Sequence, residues 1–129
     1  MLDATKLVLG VDVMDEQHAA LVELVNALEK PDANLAQLAP AFAGYADFHF
    51  EEEEKLMAAF HDPEAELHVA EHRDYRRRVD ALLADAAAGQ PNVKDELLRF
   101  TELWLQQHIL GTDQRLATFL QRAGYRGRQ

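Results

Sequence analysis

The sequence contains no cysteine, and this absence removes several kinds of protein chemistry at once. Disulfide bridges, thiolate-bound zinc and iron–sulfur clusters all need cysteine sulfur, so none of them can serve this chain. Glycine and proline are also sparse, with six and four residues in 129. Together with 48% apolar and 28% charged residues, this composition is typical of one globular domain with a substantial core.

Positive charge is in short supply as well. Thirteen lysines and arginines face 23 aspartates and glutamates, which gives a net charge of −10. This charge disfavours binding to nucleic acid or to an anionic membrane surface. Four arginines near the carboxyl end are interpreted as solvated tail charges: Arg115, Arg122, Arg126 and Arg128.

Long apolar runs are missing too. None reaches the ~18 residues that a membrane-spanning helix needs. The amino-terminal segment, residues 1–18, has too short an apolar run for a secretory signal peptide and no small-residue cleavage site. These absences predict a cytoplasmic protein without a membrane partner, and we expect a monomer.

What the chain does have is apolar residues at helical spacing, with no strand-like alternation between them. Residues that commonly cap or stop helices mark the predicted breaks: Asp15, Pro31, Asn34, Asp62, Pro63, Gly89 and Asn92. Asp15 is expected to be an N-cap, Pro63 to occupy a first helical position and Gly89 to end a helix.

This pattern predicts an all-α protein, one domain over residues 1–129. Short connections between helices of similar length favour an up-down-up-down four-helix bundle. The expected parts in chain order are an N-terminal arm over 1–14, bundle helices over 15–30, 34–60, 63–88 and 92–110, and a short C-terminal helix over 112–123.

Polar residues interrupt the inner faces of these helices in a regular way. His49 and Glu53 are four residues apart, as are His68 and His72, so each pair lies on one face of its helix. Seven candidate metal ligands occupy such positions or the end of the last bundle helix: His18, His49, Glu53, His68, His72, His108 and Asp113. Seven nitrogen and oxygen ligands on four helices suit a bridged pair of metal ions better than one ion.

Taken singly, each of these residues has an ordinary structural explanation. A lone histidine on an apolar face is usually a hydrogen-bonded core residue, and Glu53 belongs to an acidic run over 51–54 that could face solvent. Taken together, five imidazoles and two carboxylates buried around one axis would be very costly without a metal. The sixth histidine, His61, is expected to face solvent at a helix corner.

Spacing also separates two kinds of dinuclear site. Ferritin-like carboxylate sites need a Glu-x-x-His sequence on each of two helices, and no glutamate stands three residues before a histidine in this chain. The candidate set is rich in histidine and poor in carboxylate, which argues against the ferritin-like class.

The chain resembles hemerythrins, specifically the single-domain bacteriohemerythrins, over roughly residues 7 to 120. The resemblance rests on Gly10 before Asp-Glu-Gln-His at 15–18, on His-Phe-Glu-Glu-Glu at 49–53, on His68-x3-His72 and on Trp-Leu-x2-His-Ile-x3-Asp at 104–113. It implies a diiron site in the bundle core. His68, His72 and His108 would bind one iron, His18 and His49 the other, and Glu53, Asp113 and a solvent-derived oxo or hydroxo group would bridge the two.

Under that implied arrangement the two irons differ in coordination. Three bridging groups give each iron three ligands. Three histidines then bring the first iron to six ligands, whereas two histidines bring the second iron to five. The resemblance implies that dioxygen binds reversibly at the open position. Leu105, Ile109 and Trp104 are the candidates for an apolar wall around it, although Trp104 is equally well explained as plain bundle core.

The expected function is therefore binding of dioxygen for storage or delivery, without catalysis. Two alternatives stay open from the sequence. The same centre could serve an oxidase, a peroxidase or a nitric-oxide-handling enzyme, or it could sense oxygen or redox state through a partner protein.

One spacing conflicts with a regular α-helix. His108 and Asp113 are five residues apart, which leaves ~140° between their directions on an α-helix. Both can face the same metals only if the helix is widened or broken between them, and Gly111 lies in that gap. The spacing therefore predicts a π-like bulge or kink around residues 109–113.

Overall fold

The computed structural model describes residues 2–125, and the secondary structure within that range is entirely helical. A 3-10 turn at Ala4–Leu7 precedes four long helices: α1 Asp12–Glu29, α2 Leu35–Ala59, α3 Ala65–Ala87 and α4 Val93–Gln107. A π-helical turn, His108–Asp113, then joins α4 directly to a short helix, α5 Gln114–Arg122.

The four long helices form the expected four-helix bundle. Each helix packs against the next one in the chain, and α4 packs back against α1, which closes the ring of four. Because the connections are short, successive helices run in opposite directions. The interior is filled by side chains with no exposed surface, among them Leu28, Leu97 and Leu116. No helix within residues 2–125 is both long and apolar enough to cross a membrane.

The start of α1 differs from the prediction. The helix begins at Asp12 after Val11, so Asp15 is not its N-cap. Instead, the Asp15 carboxylate accepts hydrogen bonds from the backbone N–H groups of Leu9, at 2.7 Å, and Gly10, at 3.0 Å. An aspartate in the first turn of a helix can reach back to N–H groups of the preceding loop, and here it ties the N-terminal arm to α1.

The corner between α2 and α3 also differs in detail. Pro63 lies in a turn, not at the first helical position, and α3 begins at Ala65. The Asp62 carboxylate accepts a hydrogen bond from the Glu64 N–H at 3.1 Å within this turn. His61 is exposed, as predicted, and has a positive φ of 57°.

Arg115 is not the solvated tail charge that the sequence suggested. Its guanidinium donates two hydrogen bonds to the Asp62 carboxylate, at 3.1 and 2.7 Å, and lies 2.7 Å from Glu64. This ion pair ties α5 to the α2–α3 corner. Arg122 ends α5, whereas Arg126 and Arg128 lie outside the described residues.

Gly89 ends α3, as predicted, in the connection between α3 and α4. Gly89 has a φ of +83°, and the N–H groups of Gly89 and Gln90 donate to the carbonyls of Ala86 and Asp85, which is a Schellman C-cap. Asn92 occupies the N-cap position of α4, as expected, with a left-handed φ of 64°, but its side chain makes no capping hydrogen bond. A glycine tolerates positive φ without the steric cost that an asparagine partly bears.

Candidate metal centre

All seven candidate ligands converge in the interior of the bundle, and none is more than 2% exposed. α1 contributes His18, α2 contributes His49 and Glu53, α3 contributes His68 and His72, and the π-helical turn contributes His108 and Asp113 at its two ends. Each pair spaced four residues apart projects from one face of its helix, as expected.

The π-helical turn explains how His108 and Asp113 reach the same place. The turn runs over His108–Asp113, as the five-residue spacing predicted. A π-helix has more residues per turn than an α-helix, so a side chain and the fifth one after it point in similar directions. The two residues at the middle of the turn, Leu110 and Gly111, are exposed, so the widened part of the turn lies outside the core.

The two oxygens of the Glu53 carboxylate lie near different pairs of histidines. Its Oε1 atom lies 3.1 Å from the Nε2 atoms of both His68 and His72. Its Oε2 atom lies 3.0 Å from Nε2 of His49 and 3.4 Å from Nε2 of His18. One oxygen therefore belongs to each pair.

The Asp113 carboxylate makes the same division. Its Oδ1 atom lies 2.9 Å from Nε2 of His68 and 3.1 Å from Nε2 of His108. Its Oδ2 atom lies 2.8 Å from Nε2 of His18. The result is a three-histidine group (His68, His72 and His108) and a two-histidine group (His18 and His49), each completed by one oxygen of Glu53 and one of Asp113.

These separations suit neighbouring ligands of one ion. Ligand atoms bound at right angles, roughly 2.1 Å from an octahedral ion, lie about 3.0 Å apart. Several of the buried atoms also have no hydrogen-bond partner within the described residues: Nε2 of His18 and His108, Oε2 of Glu53 and both carboxylate oxygens of Asp113. Orphaned buried polar atoms are rare in proteins, and here they face one another, so the residues present fit a pair of metal ions.

Three of the histidines are oriented by acceptors on their other ring nitrogen. Nδ1 of His49 lies 2.6 Å from Oε1 of Gln17, which is itself buried. Such a bond places the proton on Nδ1 and leaves the Nε2 lone pair free for a metal.

The other two oriented histidines have anionic acceptors. Nδ1 of His72 lies 2.9 Å from Glu54, and Nδ1 of His108 lies 2.8 Å from Glu71, which also accepts a hydrogen bond from the Thr112 hydroxyl. These three acceptors were not predicted from the sequence. Gln17, Glu54 and Glu71 each adjoin a candidate ligand in sequence, but adjacency alone does not say which way a side chain points.

The electrostatics of the centre favour a cation. Burial alone would raise the pKa values of Glu53 and Asp113, but the surrounding histidines hold both well below their usual range. Burial would also lower the pKa of His18, yet the anionic carboxylates of Asp113 and Glu53 beside its ring raise it to about 9. Two buried carboxylates therefore stay ionised and attract either protons on the histidines or metal ions in their place.

The three candidate wall residues differ in their burial, and one of them has a ring contact with this centre. Leu105 and Ile109 are buried, with 2% and 0% of their surfaces exposed. Trp104 is half-buried, and its ring stacks on His108 with 4.2 Å between centroids and 15° between planes. Trp104 thus lies beside the three-histidine group rather than the two-histidine group.

Comparison with known proteins agrees with this geometry. Residues 9–120 match the family described as the hemerythrin HHE cation binding domain. A bacteriohemerythrin of Stenotrophomonas maltophilia is 31% identical over 114 residues, which cover 84% of this chain and 74% of that protein. A bacteriohemerythrin of Clostridium acetobutylicum is 28% identical over 116 residues, covering 81% and 89%. A hemerythrin-like protein of Naegleria gruberi is 35% identical over 107 residues, covering 81% and 80%. The chain therefore belongs to the hemerythrin family.

Proposed function

We propose that this chain binds two iron ions in the centre described above and holds dioxygen reversibly, for storage or delivery. The observation that carries the proposal is the unequal division of the histidines. One group offers three imidazoles and two carboxylate oxygens, and the other offers two imidazoles and two carboxylate oxygens. With a further solvent-derived bridge, the two-histidine group keeps one position open for a small ligand.

The side chains of the centre would have two roles in holding the iron ions. Nε2 atoms of the five histidines would bind iron, and Glu53 and Asp113 would each bridge the pair through one oxygen per ion. Imidazole and carboxylate are suitable ligands for iron. The iron pair, when bound, supplies the electrons that reversible dioxygen binding requires.

The rest of the core would protect the centre. Leu105 and Ile109 flank His108 in the sequence and are buried, and apolar side chains at these positions would exclude water from the bundle interior. Gln17, Glu54 and Glu71 would keep three imidazole rings in the orientation that metal binding needs.

The test begins with metal-free protein loaded anaerobically with ferrous salt. Two irons per chain are expected, and His18→Ala should bind fewer, whereas His61→Ala should bind as many as the wild type because His61 lies exposed outside the centre. Stopped-flow mixing with oxygen should then give an absorption band that is stable and disappears under vacuum.

Other outcomes of the same experiment would contradict the proposal. Rapid decay to the diferric form, or turnover with added peroxide, would indicate an enzyme or a sensor in place of a carrier. The cytoplasmic location and the monomeric state stay predictions from the sequence, to be tested by cell fractionation and by analytical ultracentrifugation.

A further inference from the structure

The aromatic rings around the metal centre are distributed unevenly. Two rings lie face to face with histidines of the three-histidine group: Phe50 on His72, with 3.9 Å between centroids and 10° between planes, and Trp104 on His108, with 4.2 Å and 15°. Within residues 2–125, His18 and His49 have no such stack, since the ring contacts of His49 with His18 and Phe50 are tilted by 71° and 50°.

The two stacked rings differ in their access to solvent. Phe50 is 1% exposed, so no solute can touch it. Trp104 is half-buried, so part of this residue lies at the surface while the face of its indole ring contacts His108. Trp104 is thus the one described aromatic residue that both stacks on a candidate ligand and reaches solvent.

We infer that Trp104 is the residue through which electrons enter the centre from an external one-electron reductant. This inference rests on the iron pair of the proposed function. Each event takes one electron from the donor and turns one ferric ion into a ferrous ion, so two events restore an oxidised pair. No bond is formed or broken, and the indole ring has only to couple the donor to the His108 imidazole across a van der Waals contact.

The position of Trp104 beside His108 would separate the site of electron entry from the site of oxygen binding. Small ligands would bind beside His18 and His49, whereas reducing equivalents would arrive on the other side, beside His108. A bulky donor at Trp104 would therefore contact the side of the centre formed by the three-histidine group. Tyr75, whose ring centroid lies 4.5 Å from that of Trp104, is 2% exposed and supports the indole from within.

The main test compares variants of Trp104 as iron-loaded diferric proteins. Reduced methyl viologen serves as the one-electron donor, and the loss of ferric absorbance gives the rate. Trp104→Leu should slow reduction by about tenfold or more, whereas Trp104→Phe, which keeps a stacked ring, should stay within about threefold of the wild type. Phe60→Leu is the matched control, because among the described residues the ring contact of Phe60 is with Tyr125 and not with a candidate ligand.

A second readout needs no iron. Trp104 is the only tryptophan of the chain, so the fluorescence of the metal-free protein reports on it alone. Acrylamide, a small neutral quencher, should quench this emission in proportion to its concentration. A flat quenching plot would mean that no solute reaches the indole ring and would overturn the inference.

The remaining outcomes each decide between explanations. If Trp104→Leu loses iron, Trp104→Met takes its place, because a flexible thioether fills more of the vacated space. Unchanged reduction in an iron-loaded variant without the ring would overturn the electron-entry role alone. A wild-type protein that binds no iron would overturn this role and the proposed function together. If the wild type binds iron but binds oxygen irreversibly, the proposed function fails. Slow reduction of Trp104→Leu would then still support the electron-entry role.

Discussion

Replacement of Gln17 by leucine should weaken one iron site and spare the other. Gln17 is the acceptor for Nδ1 of His49 at 2.6 Å, and the two residues are only 5% and 1% exposed. Water therefore cannot take the place of the lost amide oxygen, and the buried N–H would be left without a partner. No described side chain of the three-histidine group contacts Gln17 through a hydrogen bond.

The size of the effect follows from this burial. Loss of a residue that orients a metal-binding histidine typically lowers metal affinity by roughly 10–100-fold. Because both partners are buried, we expect the upper end of that range, about a hundredfold or about 2.8 kcal/mol, at the two-histidine group. Affinity at the three-histidine group should change by less than about threefold, since Glu54 and Glu71 are untouched.

Anaerobic competition with a chelator measures both affinities. At a chelator concentration where the wild type keeps two irons, Gln17→Leu should keep one. Gln17→Glu should keep both, because its carboxylate can accept the same hydrogen bond. Gln37→Leu is the matched control, an exposed glutamine in α2 far from the centre in sequence. Two irons retained by Gln17→Leu, or equal loss of both, would refute the reasoning.

Three further predictions concern stability, each measured by urea denaturation of metal-free protein. Asp62→Asn should lower the free energy of unfolding by about 1–2 kcal/mol at pH 7, a value reduced by the partial exposure of Arg115. Burial alone would raise the pKa of Asp62, but hydrogen bonds from Arg115 and the Glu64 N–H hold it below its ordinary 3.8. The wild type should therefore exceed Asp62→Asn in free energy of unfolding by the whole amount above about pH 4. This difference should vanish as the pH falls through the lowered pKa of Asp62, and a difference that stays constant with pH would contradict the prediction. Ile109→Ala, at a position with no exposed surface, should cost about 2–5 kcal/mol, and a loss below about 1 kcal/mol would show that the π-helical turn closes over the gap. Gly89→Ala should cost about 1–2 kcal/mol because φ is +83° there, whereas Gly44→Ala in α2 should stabilise the protein by roughly 0.5–1 kcal/mol, and equal effects at the two sites would contradict the C-cap argument.

Much of the fold and the candidate site could be predicted from local pattern. The positions of His49 with Glu53, and of His68 with His72, depend only on the helical repeat, which fixes the face on which a side chain lies. The five-residue gap between His108 and Asp113 likewise required a widened turn if both were to face one place, and the π-helical turn is there. Helix ends were less predictable, since Asp15 proved to bind the preceding loop and not to cap α1.

The tertiary structure alone decided which atoms meet. Periodicity places Glu53 on an inner face, but the way α1 and α3 pack against α2 determines that Oε1 faces His68 while Oε2 faces His18. The same holds for Gln17 beside His49, which joins residues 32 positions apart in the chain. Sequence spacing governs contacts within a helix, whereas contacts between helices depend on how whole faces pack, and that packing involves every buried side chain of the bundle.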